Sequence, residues 1–140
     1  MYLLDTVVLS ELRRRHRNPN VVGWIAATGP ADLFISAVTV GEIERGIERQ
    51  RPADPRFAED LAAWLDATLR VYSERILPLD VPVARRWGRL AARIGNKGLD
   101  LAIAATALEH GLTVATRNVS DFAPTGVVTL NPFEPPRRRR

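Results

Sequence analysis

The chain has 140 residues, 46% of them hydrophobic, and no cysteine, which suits one domain with a real core and excludes disulfides and thiolate metal sites. Its formal net charge is +4, from 20 basic and 16 acidic residues; without the four arginines at 137–140 the two sets balance, 16 against 16. No apolar run approaches the roughly 20 residues needed to cross a bilayer and no secretory signal pattern opens the chain, so the expectation is a cytoplasmic protein with no membrane contact.

The first strand is predicted at residues 2–4, where Tyr2, Leu3 and Leu4 run straight into Asp5. A helix starts at once with Thr6. A second begins at Asn18-Pro19, an N-cap with proline in the first turn. The second strand is predicted at 33–37, and Val40, Ile43 and Ile47 mark the helix after it. Asp54-Pro55 opens another helix, whose apolar stripe is Phe57, Leu61, Trp64, Leu65 and Tyr72. The third strand is predicted at 76–79. Asp80 is expected to cap the helix containing Pro82, which carries Ala84, Trp87, Ala91 and Ile94 and ends near Gly95. Leu101, Ala104, Ala105 and Leu108 form the next helix, stopped by Gly111. Strands at 112–115 and 127–130 complete the set. These runs are apolar throughout rather than alternating, as in strands buried on both faces of a parallel sheet. The order β-α-α-β-α-α-β-α-α-β-β implies an α/β fold, a three-layer α/β/α sandwich with a central parallel sheet. After Pro135-Pro136 the basic end reads as a tail outside the fold.

In open parallel sheets ligands bind beyond the carboxyl ends of the strands. Asp5 ends the first strand and faces that crevice. Glu42 lies in the first turns of the helix after strand two, Asp100 opens the helix at 101–109, and Asp121 sits in the loop after strand four. Carboxylates crowded into one cleft repel one another and need a cation. Hard oxygen ligands, with no cysteine and no well-placed histidine, favour Mg2+ or Mn2+ over Zn2+. Such ions activate water and stabilise charge on a phosphodiester under in-line attack. Each carboxylate also fits a purely structural role: Asp5 as the cap of the helix at Thr6, Glu42 as the partner of Arg45, Asp100 as an N-cap, Asp121 in an Asx-turn before Phe122. Spacing alone does not show that the four meet. Other chemistries have less support, since there is no Gly-rich phosphate loop and no Gly-x-Ser-x-Gly elbow. His16 lies in the basic run 13–17, and His110 suits the dipole at a helix C-terminus. Lys97 is the single lysine, and a chain whose cations are otherwise arginine favours phosphate.

Four segments, LLDTVVLSEL, SAVTVGEIERGI, LDLAIAATALEHGLTVATRN and NVSDFAPTGVVTLNPF, resemble in order and spacing the PIN-domain ribonucleases, specifically the VapC-type toxins of bacterial toxin–antitoxin pairs. The resemblance covers residues 1–133, leaving 134–140 as the basic tail. It implies that Asp5, Glu42, Asp100 and Asp121 gather at the carboxyl edge of the sheet and bind Mg2+ or Mn2+. Asp5, Asp100 and Glu42 would hold the principal ion, and Asp121 would complete the pocket. Thr116 and Asn118 match the family's auxiliary polar residues at the same edge. The implied activity is cleavage of RNA, such as tRNA or ribosomal RNA. The implied partners are a second copy of the chain and a VapB-type antitoxin whose tail covers the active-site groove. Arg117, Arg13 and Arg14 are the candidate phosphate contacts. One position departs from the pattern: the family opens Asp-Thr-Asn, and here the run is Asp5-Thr6-Val7. Valine lacks the amide, so the alternative expectation is a catalytically weakened PIN-like module that binds antitoxin and RNA, with Val7 close to the acidic pocket.

Overall fold

In the computed structural model, which describes residues 1–95 and 98–136, the elements are β1 (Tyr2–Leu4), α1 (Thr6–Glu11), α2 (Pro19–Thr28), β2 (Leu33–Ser36), α3 (Ala37–Gln50), α4 (Pro55–Val71), β3 (Ile76–Leu77), α5 (Val81–Ile94), α6 (Asp100–His110), β4 (Thr113–Ala115), α7 (Val119–Phe122) and β5 (Thr129–Leu130). Lys97 and the arginines of the tail at 137–140 lie outside the described residues.

The five strands form one sheet in the order β3-β2-β1-β4-β5, and every pairing is parallel. Leu3 sits opposite Phe34 on one side and Val114 on the other. The chain steps outward from β1 through β2 to β3, then crosses back to place β4 on the far side of β1. The gap between the carboxyl ends of β1 and β4 is therefore the topological switch point, where such sheets bind their ligands.

Alternate strand residues feed two cores, because successive side chains leave a strand on opposite faces. Leu4, Leu33, Ile35 and Ala115 join Val8, Leu9 and Val21 of α1 and α2, with Val40, Ile43, Trp64 and Leu69 of α3 and α4 packed around them. Leu3 and Val114 join Ile103, Ala104 and Ala107 of α6 and Phe122 of α7, with Phe34 packed against them. Helix α5 lies on α6 through Val83, Leu90 and Ala105. Helices thus cover both faces of a sheet that is apolar on both, and the expected α/β/α sandwich is the fold. Phe133 is the last core residue, buried with the first cluster, and residues 134–136 are exposed. Among the described residues, no helix is long and apolar enough to cross a membrane.

Caps explain where the helices start. Asn18 accepts from the N–H groups of Asn20 and Val21, Asp54 from that of Phe57, and Asp80 from that of Val83. Each of the three is followed by proline in the first turn. Four strands are shorter than their predicted runs, β2 and β4 by one residue and β3 and β5 by two. β3 stops before Pro78, which lacks the N–H a strand needs. β5 keeps only Thr129–Leu130 of its run, although the Val128 carbonyl just before it still accepts from the Val114 N–H at 2.9 Å. Helix α7 has no counterpart among the predicted elements, since four residues are too few to display a helical period. The chain therefore ends β-α-β rather than β-β, and Asp121 lies on that helix rather than in a loop.

Candidate active site

Asp5 is both the last link of β1 and the first of α1. Its N–H donates to the carbonyl of Ala115 at 2.9 Å, extending the β1–β4 pairing by one residue. Its backbone is extended (φ −65°, ψ 154°), the usual conformation of an N-cap. One carboxylate oxygen, Oδ1, accepts from the Thr6 N–H at 2.8 Å and caps α1. The other, Oδ2, accepts from the Thr116 hydroxyl at 2.8 Å, across the switch point. Asp5 is only 4% exposed. The capping role and the site role are thus performed by the same carboxylate, one oxygen each.

Threonines orient the neighbouring groups. The Thr6 hydroxyl donates to Glu42 Oε1 at 2.9 Å and lies 3.2 Å from the hydroxyl of buried Thr39. This ties the first turn of α1 to α3, and it leaves Glu42 without an ion pair to Arg45 among the described residues. Thr116 is fully buried, and its oxygen accepts from the N–H of Asn118 at 2.9 Å. Asn118 is exposed; it supports the site with its backbone, and its side chain makes no capping bond to α7. Asp100 is the first residue of α6 and half-buried. It is not the cap, which is Leu99 and makes no side-chain bond. Asp121 is exposed on α7.

The four carboxylates feel one another's charge in part: Asp5 that of Asp100 and Glu42, and Asp100 that of Asp121 and Glu42. Burial pushes the Asp5 carboxyl up from the usual 3.8 to about 6. The hydrogen bonds from Thr116 and Thr6 pull against that rise, and repulsion from Asp100 and Glu42 adds to it. Asp100 is also raised, first by burial and then by the charges of Asp121 and Glu42. Among the described residues, no arginine or histidine forms an ion pair with any of the four. The set fits a divalent cation in donor type and in uncompensated negative charge. As the side chains stand, no three of the described acidic or histidine residues are close enough together to ligate one ion.

The arginines expected near the site all have partners within the chain. Arg117 stacks on the Phe133 ring, its guanidinium carbon 3.9 Å from the ring centre. Arg13 lies over Phe57 at 5.9 Å. Arg14 pairs with Glu11 at 3.3 Å. Glu11 is buried and gives no signal in the sequence pattern; it also accepts from the Asn18 N–H at 2.9 Å, and so ties the basic loop 13–17 to the start of α2. Thr6 and Thr39 likewise escape a reading of the sequence. Thr6 is the detectable one, a hydroxyl residue placed directly after a strand-end aspartate. Val7 is half-buried and packs against the larger core cluster. A groove lies between α2 and the C-terminal segment, lined by Pro19, Trp24, Val119, Leu130 and Pro132, and none of the four carboxylates lines it.

A family profile for the PIN domain matches residues 2–124. "VapC ribonuclease Y4jK" of Sinorhizobium fredii is 36% identical over 96% of this chain and 99% of its own length. "Toxin FitB" of Neisseria gonorrhoeae is 33% identical over 95% of this chain and 99% of its own. Among solved structures, one of FitAB bound to an IR36 DNA fragment superposes with a TM-score of 0.85 at 33% identity, covering 99% of this chain and all of that one. A toxin–antitoxin complex from Klebsiella pneumoniae superposes with a TM-score of 0.67 at 27% identity, covering 96% of this chain and 99% of that one.

Proposed function

This chain belongs to the PIN-domain family, and we propose that it is an endoribonuclease toxin of the VapC type, dependent on Mg2+ or Mn2+ and restrained by a VapB-type antitoxin. Residues 1–133 form the catalytic domain, followed by the basic tail. The protein works as a homodimer in the cytoplasm, on RNA such as tRNA or ribosomal RNA. The observation that carries the reading is the buried Asp5 carboxylate, held by Thr6 and Thr116 at the switch point and repelled by Asp100 and Glu42.

When bound, the ion supplies Lewis-acid stabilisation of phosphoryl charge and activation of water. The chain's own residues do the rest. Thr116 and the Thr6 N–H fix both oxygens of Asp5, so the carboxylate is set before an ion arrives. The Thr6 hydroxyl aims Glu42 from α3. Asp100 adds charge from the first turn of α6, and Asp121 does so from the exposed rim. Water adds to phosphorus and one P–O ester bond of the RNA backbone breaks. The weakened-module alternative rests on Val7 alone. Val7 packs on the apolar core, and all four carboxylates and Thr116 are retained, so the nuclease reading is preferred.

Incubation with total cellular RNA tests it. Cleavage is expected with Mg2+ or Mn2+ and is abolished by excess EDTA. Undiminished cleavage in EDTA would overturn the metal mechanism, and no cleavage with either ion would overturn the nuclease reading.

A further inference from the structure

We propose that the outer face of α5 is the track that holds the phosphate backbone of single-stranded RNA on its way to the carboxylate edge, an inference that rests on the ribonuclease reading. Residues 81–95 contain four arginines and no acidic residue. The other long helices mix their charges: α3 has Glu42, Glu44 and Glu48 beside Arg45 and Arg49, and α4 has Glu59, Asp60 and Asp66 beside Arg56 and Arg70. On α5, Arg86 alone turns inward, donating from Nε to Glu109 of α6 at 2.7 Å. Arg85, Arg89 and Arg93 are exposed and form no ion pair among the described residues. They recur every fourth residue, so they form one stripe with about 6 Å of rise between neighbours. Like charges at that spacing oppose the helix that carries them, so helix stability does not account for the stripe.

The stripe leads to the site. Helix α5 runs antiparallel to α6, in a register set by the Arg86–Glu109 bond and the packing of Leu90 with Ala105. Counting along that register places Arg93 level with the first turn of α6, where Asp100 lies, and Arg85 level with its last turn. A polyanion approaching four carboxylates needs positive charge beside its path. Arg13, Arg14 and Arg117 are engaged within the chain, whereas the three α5 guanidinium groups are free to fork onto phosphate oxygens. Such contacts position the backbone and carry no sequence preference.

The test is the full-length chain carrying Arg85→Gln, Arg89→Gln and Arg93→Gln together. Circular dichroism checks its fold, and the three single variants serve if the triple does not fold. Binding of fluorescent oligouridylate is measured in EDTA across a salt series, and cleavage under single-turnover conditions with Mg2+ or Mn2+. The salt slope of log K is expected to fall by about 2 in the triple variant, roughly 0.7 for each phosphate of a single strand that is no longer neutralised. Affinity should drop on the order of tenfold, with the cleavage rate at saturating RNA unchanged. Arginine-to-lysine changes at the same positions should keep the slope, and Arg56→Gln on α4 should leave it untouched. Unchanged slope and affinity in a triple variant that still cleaves RNA would overturn the track and spare the ribonuclease reading. A wild-type chain that neither binds nor cleaves RNA would overturn both. Unchanged RNA binding with abolished self-association in gel filtration, or with abolished antitoxin binding, would make α5 a protein-docking face and overturn the proposal.

Discussion

At the end of β1 and shortly after the end of β3 the chain does the same local thing. A Leu-Asp pair leaves the strand, and the aspartate caps the next helix. Asp5 accepts from the Thr6 N–H at 2.8 Å, and Asp80 from the Val83 N–H at 3.1 Å. Yet Asp5 is buried and Asp80 is exposed. β1 is the central strand, flanked by β2 and β4, so the space beyond its end is closed by α3, α6 and Thr116. β3 is an edge strand of two residues, and residues 79–82 beyond it are open to solvent. A Leu-Asp cap thus yields a poised carboxylate in one place and a plain helix start in the other, and position in the sheet makes the difference.

Asp5 and Asp80 should differ most in catalysis. Asp5→Asn keeps an N-cap residue but removes charge from the metal pocket, and RNA cleavage is expected to fall about a hundredfold or more, since metal-borne charge stabilisation is worth several kcal/mol. Single-turnover cleavage measures it, with melting as the check on folding; a loss below tenfold would mean that Asp5 is a cap and nothing more.

Thr116→Val comes next. It removes the hydroxyl that holds Asp5 Oδ2 and the acceptor for the Asn118 N–H. Metal affinity by calorimetry, and cleavage with it, should drop about 10–100-fold, with Thr116→Ser restoring most of the loss. Equal behaviour of the valine and serine variants would show that the hydroxyl does not matter.

A smaller effect lies in the pH dependence of the metal-free protein. The folded chain holds the Asp5 proton up to about pH 6, against an ordinary value of 3.8. Between those values the folded state binds more protons than the unfolded state, so stability falls as pH rises through the window. The Asp5 contribution is fully present below pH 3.8 and lost above about 6. Thermal melts in EDTA should show a decline from about pH 4 to pH 7 that is steeper in wild type than in Asp5→Asn. Added Mg2+ should reverse the decline at the upper end of that range in wild type only. Parallel pH profiles for the two proteins would show that Asp5 ionises normally.

The smallest effect sharpens the other side of the comparison. Asp80→Ala removes only a cap and is expected to cost about 1 kcal/mol of stability, read by urea denaturation, with cleavage per folded molecule unchanged. A cleavage defect like that of Asp5→Asn would place the site at the wrong strand end.

The strand runs and helix starts are legible in the sequence because their causes lie within a few residues of one another. Leu3 and Leu4 are apolar on both sides because both faces of β1 are covered, and that shows as an unbroken apolar run. Asn18, Asp54 and Asp80 announce their helices because each cap bond reaches only two or three residues along the chain. The four carboxylates can be picked out by residue type and by their places at element ends, while their convergence comes from resemblance alone. Helix α7 is not legible, since one turn leaves no period to detect.

The succession of strands and capped helices, the two-sided burial of the sheet and the set of acidic candidates are written along the chain, because short-range hydrogen bonding and apolar patterning produce them. The burial of Asp5 rather than Asp80, the reach of Thr6 to Glu42 across 36 residues and that of Thr116 to Asp5 across 111 arise only when the chain packs. Those contacts exist because the chain crosses back to lay β4 beside β1, and the order in which strands pair is set by how helices pack on both faces of the sheet, which no local stretch of residues contains.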